Sequence, residues 1–346
     1  ERKALESGRW EGYNITIRFL ENDSPVQAQT SKREVLSFMG KILVFGSFVV
    51  DLASRGSHLP VPGETVIGSS FQMGPGGKGF NQGIAAGMAG GDVAVVTKLG
   101  RDSFAKLAEE QLKKSGMSTE HLLYSEQDPT GTALIVIDEN SAQNCIMIVP
   151  GACATISQQE VAALEPLVRE ADYVVTQLET NLDATQAVIE MAHRLGAKNI
   201  LNPAPAAQVA DEILANVDII TPNEVEAEAI TGIAVDGEEA AAKAAEFFFQ
   251  KGIGSVVITL GSRGVYAATR QQSRLIPAYR VQAVDTTGAG DAFNGGLAVA
   301  LSEGKDLFEA CEFASAVAAI SVTRRGTAPA MPARAEVDEF LKSVRG

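Results

Sequence analysis

The stretch Asp285-Thr286-Thr287-Gly288-Ala289-Gly290-Asp291 is where residue types and spacing point to chemistry. It follows the apolar run 280–284 and opens an amphipathic segment in which Phe293, Leu297 and Leu301 recur at helical spacing, so it is a loop feeding a helix. Gly288 and Gly290 remove Cβ atoms where backbone N–H groups must converge, and the helix dipole favours an anion at that point. Asp291 would repel a phosphate there in the ground state. A base accounts for the clash: Asp291 would take the proton of an attacking hydroxyl while the N–H groups and a metal hold the transferred phosphoryl group. Asp291 can equally be a plain N-cap, a position that Asp favours. The heptapeptide by itself leaves both readings open.

A second glycine-rich turn, Gly74-Pro75-Gly76-Gly77-Lys78-Gly79, has the form G-x-G-x-x-G. A dinucleotide fingerprint is rejected, because the strand before it alternates in polarity, Pro75 sits inside the turn, and no clear acid ends a second strand at the right distance. Nor is it a Walker A loop, since Gly79 stands where Ser or Thr would have to follow Lys78. A turn into a helix over 80–90 remains, carrying Lys78 and Asn81 as hydrogen-bonding groups beside bare backbone, or glycines kept only for close packing.

These two turns need a frame. Short apolar runs at 42–45, 93–98, 173–176, 199–201, 217–221 and 255–260 alternate with helical patterns at 104–115, 158–169, 182–195 and 238–251. Helices over 291–302, 307–321 and 334–344 follow. The pattern predicts an α/β fold with a doubly wound, mainly parallel sheet flanked by helices. Asp51, Gln177, Glu179, Asn202, Asn223, Glu226 and residues 261–264 fall at the carboxyl ends of strands, the rim where such sheets bind ligands. Segments 62–67 and 69–73 alternate like exposed strands and are expected to pair with a hairpin, 132–137 and 144–149, as a small β-sheet lid near 60–73 and 131–149. Its free edges and wet face suggest cover from a second subunit.

Composition sets limits. With 346 residues and a net charge of −14, a nonspecific nucleic-acid surface is excluded, and an anionic substrate must be met by local N–H groups and a few cations. Cys145, Cys153 and Cys311 are too scattered for a disulfide framework or zinc site and read as reduced thiols of a cytoplasmic protein. His58, His121 and His193 lack metal spacing, and no segment approaches a membrane span. Residues 1–38 hold the single Trp10 and a polar run, and are expected to be an extension of unknown role before a kinase domain over 39–346.

Taken together, Gly76-Gly77-Lys78-Gly79-Phe80-Asn81-Gln82 and the Asp285–Asp291 stretch resemble the paired signatures of the ribokinase family of carbohydrate kinases. Asn223-Glu224-Val225-Glu226 and Thr259-Leu260-Gly261-Ser262-Arg263-Gly264 match as well, from about Lys41 to the C-terminus. The resemblance implies an ATP-dependent kinase acting on the 5-hydroxyl of D-ribose. In it Asp291 is the general base, and Gly288, Ala289 and Gly290 form the anion hole. It makes Asp51, Gly77, Lys78, Asn81 and Glu179 sugar contacts. Asn223, Thr259, Gly261, Ser262, Arg263, Gly264, Gly290 and Ser315 would bind ATP, and Glu226 would order Mg²⁺. Asp285 and Thr287, with backbone near Ser321, Arg324, Gly326 and Ala330, would hold K⁺. The open lid sheet, apart from the resemblance, leads to the expectation of a homodimer formed through it.

One departure matters. Ribokinases proper carry Asn two residues before the strand-end Asp, and here Val49 stands there. A site without that amide loses a hydrogen bond to the sugar and cannot strongly reject a deoxy analogue. Similar deoxyribokinases tend to be apolar at this place, so 2-deoxy-D-ribose is the alternative to ribose. Remoter alternatives are a non-catalytic sugar sensor and a nicotinamide-dependent oxidoreductase.

Overall fold

Runs of Val, Ile and Leu bounded by Gly, Asp and Asn form the strands of this protein. The computed structural model describes residues 40–345 except Ala142, so the extension expected over 1–38 lies outside the described residues. In chain order the strands begin with β1 (Lys41–Phe45), β2 (Val49–Gly56), β3 (Ser70–Gly76), β4 (Asp92–Val96), β5 (Lys98–Gly100), β6 (Leu123–Ser125) and β7 (Thr130–Asp138). They continue with β8 (Asn144–Gly151), β9 (Tyr173–Thr176), β10 (Lys198–Leu201), β11 (Ile219–Ile220), β12 (Ser255–Thr259), β13 (Val265–Thr269) and β14 (Ser273–Ile276).

Eight of them make the main sheet in the order β14-β13-β12-β11-β10-β9-β1-β4. Pairing is parallel from β4 through β12 and antiparallel at β12-β13-β14. Such strands need apolar residues on both faces because helices cover both. Ile42 and Val44 of β1 enter one core with Phe80, Ile84, Phe293 and Leu297, whereas Leu43 and Phe45 enter another with Val174 and Val188. The flanking helices are α1 (Lys78–Met88), α2 (Ala105–Lys114), α3 (Gln158–Ala163), α4 (Glu165–Glu170), α5 (Leu182–Leu195) and α6 (Asp211–Leu214). After them come α7 (Glu224–Thr231), α8 (Glu238–Gln250), α9 (Ala289–Ser302), α10 (Leu307–Ser321) and α11 (Arg334–Arg345). This is the doubly wound α/β architecture that the alternation predicts. Among the described residues no helix is long and apolar enough to cross a membrane.

A separate four-stranded sheet, β3-β2-β7-β8, forms the lid. Here the expectation needs correction. Residues 62–67 are loop, closed by a Glu64 carboxylate that accepts from the Val61 N–H at 3.0 Å and contacts His58 Nε2 at 2.8 Å. The strand in that place is β2, which pairs with β3 on one side and runs parallel to β7 on the other. Three local features go beyond the pattern read from the sequence. Helix 158–169 is two helices, because Pro166 lies in the first turn of α4 and has no N–H to continue the ladder of α3. The run 280–284 is not a strand; the Val284 and Asp285 N–H groups both donate to the Val322 carbonyl, at 2.7 and 3.1 Å. The β13–β14 hairpin is an addition to the sheet that the sequence pattern had not indicated.

Candidate active site

The glycine turn before α9 behaves as its spacing suggests, but its acid is not a cap. Gly288 is the N-cap, held at φ 76 where an L side chain is strained, and no side chain caps the helix. Asp291 is therefore the third helical residue. First-turn N–H groups have no intrahelical partner, the Ala289 N–H donating back to the Thr286 carbonyl at 3.2 Å, and a Cβ at Gly290 would meet nothing within 4 Å, so open space lies beside this turn. Asp291 itself is 6% exposed and points at α1. Its Oδ2 accepts from Asn81 Nδ2 at 3.1 Å and its Oδ1 from Gln82 Nε2 at 3.0 Å. The plain N-cap alternative is overturned.

The second glycine turn brings the other groups in. Gly77 sits at φ 92, and a Cβ there would lie 2.8 Å from both Phe48 Cα and the Ser47 carbonyl oxygen. This close approach lets the first N–H of α1, that of Lys78, donate to Glu179 Oε2 at 3.0 Å, where Ser47 Oγ also donates at 2.6 Å. Asp51 on β2 faces the same place, and a Cβ at Gly76 would collide with its carboxylate. Val49 is buried and lies between Gly76 of β3 and Gly131 of β7 in the ladder.

Three buried or partly buried acids, Asp291, Glu179 and Glu226, thus act on one ammonium, that of Lys78, and Asp51 lies beside two of them. Burial raises the Asp291 carboxyl to about 6, opposed by Lys78 and by the amides of Gln82 and Asn81, and assisted by Glu179. Asp51 is also raised to about 6, by burial first and then by repulsion from Glu179 and Asp291. Burial pulls the Lys78 ammonium down, but Asp291, Glu179 and Glu226 outweigh it and hold its pKa above the usual lysine value. Glu226 is raised by burial, against the Asn223 N–H and Lys78, which lower it. An acid poised near 6 in a cleft with donors beside it suits proton abstraction from a hydroxyl at neutral pH.

The remaining predicted residues form two further groups. Asn223 and Glu226 make a capping box at the start of α7: Asn223 Oδ1 accepts from the Glu226 N–H at 2.8 Å, and Glu226 Oε2 from the Asn223 N–H at 2.9 Å. Asn223 is also bridged to Thr259, the last residue of β12, which leads into the 3₁₀ turn Gly261–Arg263 with Ser262 at its centre, and then Gly264. Arg263 is tied to the Glu224 carboxylate and the Asp236 carbonyl, so its guanidinium is engaged on α7. Ser315 lies on α10, buried, with no hydrogen-bond partner for its hydroxyl. Asp285 links the other group. Its oxygens accept from the Thr287 and Gly326 N–H groups at 3.0 and 3.1 Å, and although burial opposes it, these bonds hold its carboxyl below the usual range. The Ser321 carbonyl accepts from the Arg324 N–H at 3.0 Å, the Arg324 side chain pairs with Glu336, and the Ala330 N–H is bonded to Thr327 at 2.9 Å. Thr327 Oγ1 donates to the Pro75 carbonyl at 3.0 Å, joining this loop to the turn before α1.

Sequence reasoning assigned no role to Gln82 or Ser47 and set Gln177 and Asn202 only on the ligand-binding rim; all four are buried polar groups bonded to site residues or to one another. The available signal was a polar side chain on the apolar face of a predicted helix, as at Gln82.

This arrangement agrees with the comparison of the chain with known proteins. Residues 39–334 match the pfkB family carbohydrate kinase domain. The chain belongs to that family. The kinase is 42% identical over 301 residues to the ribokinase of Haemophilus influenzae, covering 87% of this chain and 98% of that protein. It is 36% identical over 301 residues to the deoxyribokinase of Salmonella typhi, again over 87% of this chain and 98% of that one. Among solved structures, Arabidopsis thaliana ribokinase complexed with ribose and ATP superposes with a TM-score of 0.81 at 30% identity, covering 88% of this chain and 99% of that one. The kinase is therefore a phosphotransferase of carbohydrate type that uses ATP as co-substrate. Neither the oxidoreductase reading nor a sensor without chemistry survives.

Proposed function

We propose that this kinase transfers the γ-phosphoryl group of ATP to the 5-hydroxyl of D-ribose, with Asp291 as general base. The observation that carries the reading is the buried Asp291 carboxylate, fixed on both oxygens by α1 and placed in the first turn of α9 beside the glycine-flanked N-terminus of that helix. Asp51, Gly77, Lys78, Asn81 and Glu179 bind the sugar. The Asn81 Oδ1 atom, buried without a partner, accepts from a sugar hydroxyl. Gly288, Ala289 and Gly290 receive the transferred phosphoryl group, and Asn223, Thr259, Gly261–Gly264 and Ser315 hold the nucleotide, the unpartnered Ser315 hydroxyl awaiting a base heteroatom. Because Arg263 is tied to α7, its backbone rather than its guanidinium serves the nucleotide. Lys78 offsets the charge of the acids while they are empty and of the phosphate when it arrives.

Two cations fit the residues present. Glu226, buried and facing Lys78, would order Mg²⁺, which when bound neutralises phosphate charge. The ionised Asp285, with Thr287 and backbone oxygens near Ser321, Arg324, Gly326 and Ala330, offers the hard oxygen donors that suit K⁺. Such an ion would stiffen the anion turn and add positive potential beside it. The kinase acts in the cytoplasm, where ATP is supplied, as a homodimer joined through the lid.

2-Deoxy-D-ribose is the second reading, favoured by the buried apolar Val49 at the sugar end of β2 and by the 36% identity to a deoxyribokinase. The test is kcat/KM for both pentoses, with and without K⁺. Ribose is expected to be preferred by less than ~10²-fold, because no amide stands at position 49 to reject the deoxy sugar strongly. K⁺ removal is expected to lower kcat. A preference for 2-deoxyribose would reverse the assignment, and turnover of neither pentose would end it.

A further inference from the structure

One of the two amides that hold Asp291 binds nothing else in the proposed reaction. Gln82 is fully buried on α1, and every hydrogen-bonding atom of its amide is used. Its Nε2 donates to Asp291 Oδ1 at 3.0 Å and to Asn202 Oδ1 at 3.0 Å, and its Oε1 accepts from Gln177 Nε2 at 2.7 Å.

The direction of this chain is fixed by backbone, not by choice of amide rotamer. Asn202 Nδ2 donates to the Thr221 carbonyl at 2.9 Å, and a carbonyl can only accept. Asn202 must then turn its oxygen to Gln82, Gln82 must turn its N–H groups to Asn202 and Asp291, and Gln177 must donate to the oxygen left over. The cost falls at the far end, where Gln177 Oε1 is buried without a partner in space left by Gly46, at which a Cβ would collide with it. Thr221 anchors a second arm as well. Its hydroxyl donates to Asn294 Oδ1 at 2.6 Å, and Asn294 Nδ2 donates to the Gly290 carbonyl at 2.9 Å. The residue just after β11 thus sets both the amide that holds the base and the backbone of the anion turn.

We infer that Gln82 is a positioning residue of this kinase, oriented through Asn202 by the Thr221 carbonyl so that it always presents an N–H to Asp291, keeping that carboxylate ionised and aimed. The inference rests on Asp291 acting as the base. Donors to a carboxylate favour its charged form, against the burial that raises it. Other charged groups facing Asp291 are Lys78 from α1, which also favours the ionised form, and Glu179 and Asp51 from the loop after β9 and from β2, which oppose it; Glu226 acts on Lys78.

The test is the pH profile of kcat at saturating sugar and ATP, measured for the wild type, Gln82→Met, Gln82→Glu and Asp291→Asn. Saturation keeps protonation of Asp51, a sugar contact, in KM. Gln82→Met removes a hydrogen bond to a charged group and is expected to raise the acid limb by about one pH unit or more. At pH 6 its kcat should fall by about fivefold or more, with recovery toward wild type by pH 9 and little change in KM. Gln82→Glu keeps the shape, so it serves if Gln82→Met fails to fold; a second carboxylate beside Asp291 also pushes the limb upward. Folded variants whose activity drops equally at every pH, with the limb unmoved, would overturn the inference while a dead Asp291→Asn leaves the base assignment standing. Near-normal turnover by Asp291→Asn would remove the base, and the positioning role with it.

Discussion

At the residue scale, the acids needed for chemistry are held in a state that works against stability. Asp51, Glu226 and Asp291 each have a folded-state pKa above the ordinary carboxylate value, with burial as the largest cause. A raised carboxyl pKa means that the folded protein binds the proton more readily than the unfolded chain. Stability contributed by these groups is therefore lowest above about pH 6 and recovers as pH falls toward the unfolded value near 4. Asp102, Asp138 and Asp285 are depressed instead, and the stability they contribute is lost as pH falls through still lower values. The ligand-free kinase is expected to melt at a higher temperature near pH 5.5 than at pH 8. Asp51→Asn removes one of the repelling charges, so at pH 8 it should stabilise the free protein by on the order of 1 kcal/mol while weakening sugar binding. Thermal melts at the two pH values and the sugar KM check both halves. A variant less stable than wild type at pH 8 would show that the charge is better compensated than the geometry indicates.

At the element scale, the close meeting of β2, β3 and the start of α1 decides where the sugar can lie. Gly77 is the tightest point, with a positive φ and backbone atoms of residues 47 and 48 where a Cβ would stand. Gly77→Ala must push the N-terminus of α1 outward and strain φ by ~1–2 kcal/mol. The Lys78 N–H would leave Glu179, and Asn81 would leave Asp291. Sugar KM is expected to rise by about tenfold or more, with a smaller change in the KM for ATP, whose proposed contacts lie on β12, α7 and α10; equal losses for both substrates would place the effect elsewhere. The same elements show what the sequence could and could not announce. Helices α5 and α10 begin and end where the apolar period puts them, since their buried stripes are long and regular. Lys78, Asn81 and Asp291 stood out because glycines mark the turns that carry them. β2 was invisible as a lid strand because its first residues, Val49 and Val50, read as a continuation of β1, and the break between them depends on Gly46 and Ser47 turning the chain toward α1. Residues 62–67 alternate without becoming a strand, since alternation supplies a face but not a partner. The ties among Gln82, Gln177, Asn202 and Thr221 join four elements distant in sequence, and no local pattern encodes them.

At the scale of the whole kinase, the lid is where the described residues leave several large apolar side chains exposed. Across its strands Met73, Leu52, Leu134 and Met147 stand in a single register row, on the face opposite Asp51. Met73 is 49% exposed, Leu134 46% and Met147 64%, with Phe71 and Val149 also exposed nearby. A contiguous apolar row on an open sheet is costly in water and invites a self-complementary partner, and a second copy of the lid offers the same row. The net charge of −14 would oppose association through a polar surface, so this uncharged row is where two copies can approach. Met147→Lys places a charge at the β8 end of that row, at its most exposed member, without touching Asp51, α1 or α9. The wild type is expected to sediment as a dimer at micromolar concentration and Met147→Lys as a monomer, with sugar KM raised because a lid unsupported by its twin closes less firmly over the cleft. A wild type that sediments as a monomer would leave the exposed row unexplained by self-association, and a variant that stays dimeric would move the interface to another face.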